Sequence, residues 1–147
     1  MHGLAMTYDQ NEEWNKSDEL YTKLISLNDQ DAQAYNNYAY SLVERDEDLE
    51  YALALAKKAV FISPDISPYL DTIGWIYYKL SDFDKAKEYI SKALIYDDTS
   101  SVILEHYGDV LISLNEIEEA LIFYKKALLL DKNNEKLQSK IVSYESQ

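Results

Sequence analysis

Apolar residues recur along this chain at helical spacing, and the helical stretches come in pairs separated by short polar breaks. Residues 69–80 show the pattern. Leu70, Ile73, Gly74, Tyr77 and Leu80 fall at i, i+3, i+4, i+7 and i+10, one face of a helix with a 3.6-residue period. Ser81 and Asp82 interrupt it, and Phe83, Ala86, Ile90, Ala93 and Leu94 then carry the apolar face of a second helix.

The pair is itself repeated. Gly74 and Gly108 are 34 residues apart, as are Ala86 and Ala120, Ala93 and Ala127, Leu80 and Leu114, and Lys92 and Lys126. Ala52 and Ala59 precede Ala86 and Ala93 by 34, and Ala5 precedes Ala39 by 34. Ala39 precedes Gly74 by 35, which puts one extra residue in the turn at 46–48. A fixed period decides architecture before any local assignment. It divides one domain, residues 1–147, into units 1–31, 32–66, 67–100 and 101–134 and a ninth helix at 135–147. The predicted breaks lie near 11–12, 28–31, 46–48, 63–66, 81–82, 97–100, 115–116 and 131–134. In the ninth helix Leu137, Ile141 and Tyr144 share a face, while Lys136, Gln138, Lys140 and Glu145 are expected to point outward. Such a helix is what a stacked array needs where it ends in water. Met1 already sits at the fourth position of its unit, so the expectation is that the chain is the C-terminal part of a longer array. The small residues Ala5, Ala39, Gly74 and Gly108 mark where the helices of a pair cross closely, with Ala86 and Ala120 expected opposite the two glycines.

Composition narrows the function classes. Three Gly and two Pro are too few for a turn-rich all-β chain. The apolar runs, such as 127–130, are far too short to span a bilayer, and no signal peptide opens the chain. A soluble chain is expected, and neither feature fixes a compartment. The net charge of −13 argues against nucleic acid and against an anionic membrane surface. It favours a protein or peptide partner that is basic or apolar. Without cysteine there are no disulfides, thiolate metal sites or cysteine nucleophiles. His2 and His106 are three units apart, the three glycines form no phosphate loop, and no metal-ligand spacing is present. Neither catalysis, nor a cofactor, nor a metal is expected.

The spacing apolar-x2-apolar-Gly/Ala-x2-Tyr/Leu, then Ala, aromatic or Ile, and Ala, resembles the tetratricopeptide repeat. It runs through Leu70, Ile73, Gly74, Tyr77, Ala86, Ile90 and Ala93, and again through Leu104, Tyr107, Gly108, Leu111, Ala120, Tyr124 and Ala127. The second unit gives Tyr35, Tyr38, Ala39, Leu42, Ala52, Ala56 and Ala59. The first is degenerate, with Ser17, Tyr21 and Leu24 where Ala, aromatic and Ala are usual. Leu or Tyr stands for the frequent Trp near each unit's start, and the unit-ending Pro survives only as Pro64. Residues 35–44 and 69–80 also look like stretches in C-terminal arrays of bacterial envelope proteins.

The resemblance implies an all-α fold: a right-handed superhelix, or α-solenoid, of four antiparallel helix pairs and a capping helix. The first helix of each pair would line a concave groove. Helical phase then nominates the groove residues: Asn36, Asn37 and Tyr40; Asp71, Thr72, Trp75 and Tyr78; Glu105, His106 and Asp109. Aromatics beside amides and carboxylates are typical of binding hot spots, so Trp75, Tyr78, Asn36 and Asn37 are expected to be accessible on one concave surface. The three carboxylates would make its floor acidic. Some members of the family grip a C-terminal carboxylate with Lys, Asn and Arg. The matching positions here carry His2, Met6, Asn37, Pro68 and Thr72, so that clamp is not expected. Lys58, Lys92 and Lys126 recur near the ends of the second helices, where the helix dipole favours a cation by about 0.3–1 kcal/mol each. Two functional classes follow. One is a scaffold holding a peptide or protein segment in the groove. The other is an assembly module that forms a homodimer through its uncapped first helix.

Overall fold

Five of the eight predicted breaks carry a side chain that caps the helix that follows. The computed structural model describes residues 1–146, and among these it forms nine helices and no strand. They are α1 (His2–Gln10), α2 (Trp14–Leu27), α3 (Ala32–Glu44), α4 (Leu49–Ile62), α5 (Ser67–Lys79), α6 (Phe83–Tyr96), α7 (Ser101–Ser113), α8 (Ile117–Leu130) and α9 (Glu135–Glu145). Gln147, the last residue assigned to the cap, lies outside the described residues. The side chains of Asp31, Asp48, Asp82, Ser100 and Asn134 accept hydrogen bonds from the backbone N–H groups of Ala34, Tyr51, Lys85, Ile103 and Leu137. Each satisfies a donor that the first turn of a helix leaves unpaired.

The turn inside every pair places a residue in the left-handed region, Glu12, Asp46, Ser81 and Asn115, with φ of 58°, 51°, 64° and 62°, and the longer α3–α4 turn adds Asp48 at 40°. That conformation reverses the chain in three or four residues but costs an L-residue with a Cβ about 1–2 kcal/mol. Glycine there avoids most of the strain at some cost in chain entropy. Ser81→Gly should therefore raise stability by about 0.5–1 kcal/mol, read as a higher urea midpoint. A lower midpoint would show that the Ser81 side chain contributes more than its backbone costs.

The helices form two layers. α1, α3, α5 and α7 touch one another in series, whereas the even-numbered helices pack mainly against the odd ones on either side. Helices that touch lie on the shorter, inner arc of the superhelix, and those of the outer arc splay. Between the layers lies a continuous core in which Tyr21, Leu70, Ile73, Ile76, Ile90, Leu111 and Tyr124 are fully enclosed.

The crossing within a pair is set by size complementarity at one position. A Cβ on Gly74 would lie 2.5 Å from Ile90 Cγ1, 3.2 Å from the Ile90 nitrogen and 3.3 Å from the Ala86 oxygen. A Cβ on Gly108 would run into the Tyr124 ring. The nearest atoms across from Gly108 are thus those of the Tyr124 ring, and across from Gly74 the Ile90 side chain joins the Ala86 backbone. Glycine stands in the third and fourth pairs, where the facing helix carries Ile90 and Tyr124, whereas the first pair sets Ala5 against Tyr21 at the matching position. Ala39 suffices in the second pair, where the matching position is Ala56.

Candidate functional site

The inner layer is stitched sideways by side chains about one repeat apart. Asp71 at the fifth position of its unit meets His106 at the sixth position of the next, with Nδ1 at 3.0 Å from both carboxylate oxygens. Glu105 at the fifth position of the following unit accepts a hydrogen bond from Lys140 Nζ at 2.6 Å, and Asp109 accepts another at 3.0 Å. Lys140 therefore does not point outward. α9 stands where a fifth repeat's first helix would, so residue 140 takes the place that His106 has on α7. Burial disfavours the Lys140 cation, but the Glu105 and Asp109 carboxylates outweigh it and raise its pKa. The three carboxylates of the expected acidic floor are each engaged within the chain: Asp71 faces an imidazole, and Glu105 and Asp109 share an ammonium.

Trp75 belongs to this stitching as well. Its indole is sandwiched between Tyr78, 4.5 Å away at 8°, and His106, 3.8 Å away at 14°. The residue is only 9% exposed and forms part of the core. The expectation of an accessible indole is not met, because a flat ring on α5 is covered on one face by its own helix and on the other by α7. Tyr78 is half-buried, and Thr72 and His106 are buried.

Between α3 and α5 the rung is open. Asn36 holds the fifth position and Thr72 the sixth of the next unit, but the Thr72 hydroxyl donates to the Pro68 carbonyl on its own helix at 2.9 Å. Among the described residues Asn36 Oδ1 and Asn37 Nδ2 have no hydrogen-bond partner, although both atoms are buried. Asn36 is 8% exposed, against the expectation of accessibility, while Asn37 is half-buried. An unsatisfied buried polar atom costs about 1–3 kcal/mol. The two amides border a cleft of about 240 Å³ whose walls include Tyr40, Pro68, Asp71, Val102 and Ile103. Tyr40 is 38% exposed, and its phenol pKa is pushed up to about 12, first by burial and then by the Glu44 and Asp71 carboxylates. Pro68 holds one of the clamp-matching positions, whereas Val102 and Ile103 were not legible as cleft residues. They lie in the first turn of α7, and only the lateral offset between helices brings them to α3.

Two buried phenols hold the ends of the inner layer. Tyr21 donates to Asp9 at 2.6 Å, and Asp9 also accepts from Ser41 at 2.8 Å. Tyr124 donates to Asp109 at 2.6 Å. Burial first, and then the hydrogen-bonded carboxylate, raise both phenol pKa values far above the ordinary 10.0. The folded chain thus keeps protons that the unfolded chain loses above that value. This contribution is complete below pH 10 and disappears as the pH climbs further. The melting temperature should fall above pH 10, and the fall should be shallower in Tyr21→Phe and Tyr124→Phe. An unchanged slope in both variants would assign alkaline unfolding to other groups.

Models described as tetratricopeptide repeat match residues 1–35, 67–98 and 103–134. BBSome complex member BBS4 of Bos taurus is 29% identical over 99 residues, which is 67% of this chain. The chain spans only 19% of that relative's length. Among solved structures, a thermophilic TPR protein of Thermus thermophilus superposes with a TM-score of 0.85 at 24% identity, covering 99% of this chain and 80% of that one. YrrB, described as a TPR protein with an unusual peptide-binding site, gives 0.73 at 27% identity, covering 82% of this chain and 62% of that one. The first TPR of Spaghetti (RPAP3), bound to an HSP90 peptide, gives 0.74 at 17% identity over 80% of this chain and 92% of that one.

Proposed function

The chain belongs to the tetratricopeptide repeat family, and from that premise we propose that it is a non-catalytic scaffold holding an extended segment of another protein in its concave face. The observation that carries this reading is the open rung between α3 and α5. A free amide acceptor on Asn36 and a free amide donor on Asn37 stand side by side at a cleft. An extended peptide offers one N–H and one C=O per residue, the complement of that pair. Terminal amide torsions are soft, so a small rotation presents both groups to an incoming backbone. Tyr40, Val102 and Ile103 supply apolar contact for a side chain of the segment. YrrB and the Spaghetti domain, both similar in fold, bear peptide sites in their descriptions, which supports the class of function. The cations of a carboxylate clamp are missing at the matching positions His2, Met6, Asn37, Pro68 and Thr72. The segment would therefore be read by its backbone and by one apolar side chain, with the net charge of −13 favouring basic neighbours.

Selecting a displayed random-peptide library on the intact chain provides a probe. The selected peptide should lose about tenfold or more in affinity, about 1.4 kcal/mol or more, in Asn37→Ala and in Tyr40→Ala. Both variants should melt like the parent, because neither residue belongs to the core. Unchanged affinity in both would remove the groove reading.

A second reading rests on α1, which leaves Leu4 and Met6 exposed, with the exposed Met1 just before it. It predicts self-association. Light scattering over a concentration series that shows only monomer would eliminate it.

A further inference from the structure

The outer layer carries a second pattern with the period of the fold. Leu27, Phe61, Ile95 and Leu129 are 34 residues apart, one at the end of each second helix, and they are 67%, 82%, 80% and 71% exposed. Nothing in the packing of the array requires an apolar residue at a position so open to water. A lysine stands three or four residues before each: Lys23, Lys57 with Lys58, Lys92, and Lys125 with Lys126. On a helix those spacings place the two side chains next to each other. Six of the chain's 14 cationic side chains therefore lie along one apolar ridge of an acidic protein. Among the described residues the ion pair from Lys125 to Glu145, at 3.5 Å, is the only one these six make. The helix dipole accounts for a cation near each C-terminus. It does not account for the exposed apolar neighbour that recurs with it.

The ridge is also concave where the outer helices splay. Between α6 and α8, with Leu104 and Tyr107 of α7 as its floor, lies a mainly apolar cleft of about 470 Å³. Its rim carries Ile95, Lys126 and Leu129, and Asp98 is the single carboxylate among its lining residues. Leu129 separates it from a second apolar cleft of about 420 Å³ bordered by Lys125 and Lys132 and by no carboxylate. A volume of this size takes several side chains of a partner. A contiguous apolar patch rimmed by charge marks an interaction surface, whereas single exposed apolar residues do not.

We propose that this outer ridge, centred on the cleft between α6 and α8, docks an acidic protein segment bearing large apolar side chains. The apolar residues of the segment enter the two clefts, and its carboxylates meet the ridge lysines, of which only Lys125 is ion-paired among the described residues. The site lies on the layer opposite the concave groove and is independent of it. A second copy of this chain fits less well. Its lysines already line this ridge, and its groove carboxylates Asp71, Glu105 and Asp109 are engaged internally.

The test uses a fluorescein-labelled helical peptide with Leu and Phe on one face and Glu on the other, its counterpart with Lys in place of every Glu, and phosphatidylserine vesicles. Fluorescence anisotropy should show binding of the acidic peptide and about tenfold or weaker binding of the basic one. Ile95→Glu combined with Leu129→Glu should weaken the acidic peptide by about tenfold or more, as should Lys92→Glu combined with Lys126→Glu. Tyr40→Ala, in the groove, should leave it unchanged. All four substituted ridge positions are exposed, and a melting curve checks that the variants stay folded. The proposal is overturned by failure of the acidic peptide to bind, by equal affinity for the basic peptide, or by binding that survives both double variants. It is equally overturned if only vesicles bind, or if the parent is a dimer that Ile95→Glu dissociates.

Discussion

Replacing Trp75 by alanine should destabilise the fold by about 3–5 kcal/mol, the cost of removing a large aromatic from a packed interior. The indole is stacked on both faces, by Tyr78 of its own helix and by His106 of α7. Its loss leaves a void between α5 and α7 and removes the surface that holds His106 flat against Asp71. Stacked aromatic pairs add about 0.5–1.5 kcal/mol beyond burial, and here one ring makes two such contacts. Natural domains have net stabilities of only about 5–15 kcal/mol, so the loss is a large fraction of the total and the midpoint should fall well below the parent's. Trp75→Phe, which keeps a ring in the sandwich, should lose markedly less. Urea midpoints of the two variants measure this. A Trp75→Ala midpoint equal to the parent's would return the residue to the groove as a contact for a partner. Any loss of partner capture in this variant is a consequence of lost structure, so Tyr40 and Asn37 are the residues that report on binding.

The contrast between Trp75 and the helices around it shows what the sequence could disclose. The helices were legible because an amphipathic face is a local property: Leu70, Ile73, Gly74 and Tyr77 declare their shared face within eight residues. The 34-residue period likewise located the turns, whose left-handed residues Glu12, Asp46, Ser81 and Asn115 recur with it. Contacts between successive units were not legible. Trp75 meets a residue 31 positions on, and Asp71 and Glu105 meet residues 35 positions on. Which of these neighbours touch depends on the sideways offset of the superhelix, and a period in sequence does not contain that offset. For the same reason Lys140 looked like a surface residue of a terminal helix, although it lies against Glu105 and Asp109. The outer ridge was hidden differently. Ile95 and Leu129 stand next to Leu94 and Leu128 in the sequence, and only their exposure separates them.

Gly74→Leu should lower stability by about 1–3 kcal/mol, toward the upper end of that range, because the obstruction is backbone as well as side chain. The first added carbon already falls 2.5 Å from Ile90 Cγ1, and rotating Ile90 away still leaves its nitrogen at 3.2 Å and the Ala86 oxygen at 3.3 Å. Those two atoms belong to α6, which can yield only by moving as a body away from α5. The crossing would then open and the contacts of Ile73, Ile76 and Ala93 around it would loosen. Gly74→Ala isolates the two opposing effects. Alanine is favoured over glycine by about 1 kcal/mol in a helix interior, so a net loss in that variant understates the steric cost by about that amount. Gly108→Ala provides the internal comparison. Its new Cβ meets the ring of Tyr124, which is held by the hydrogen bond to Asp109. Relief there requires a ring to tilt, not a helix to shift. The expected order of stability is parent, then Gly108→Ala, then Gly74→Ala, with Gly74→Leu lowest. Urea denaturation of the four proteins tests it, and a Gly74→Leu midpoint within error of the parent would place the close crossing of the pair elsewhere than at Ile90.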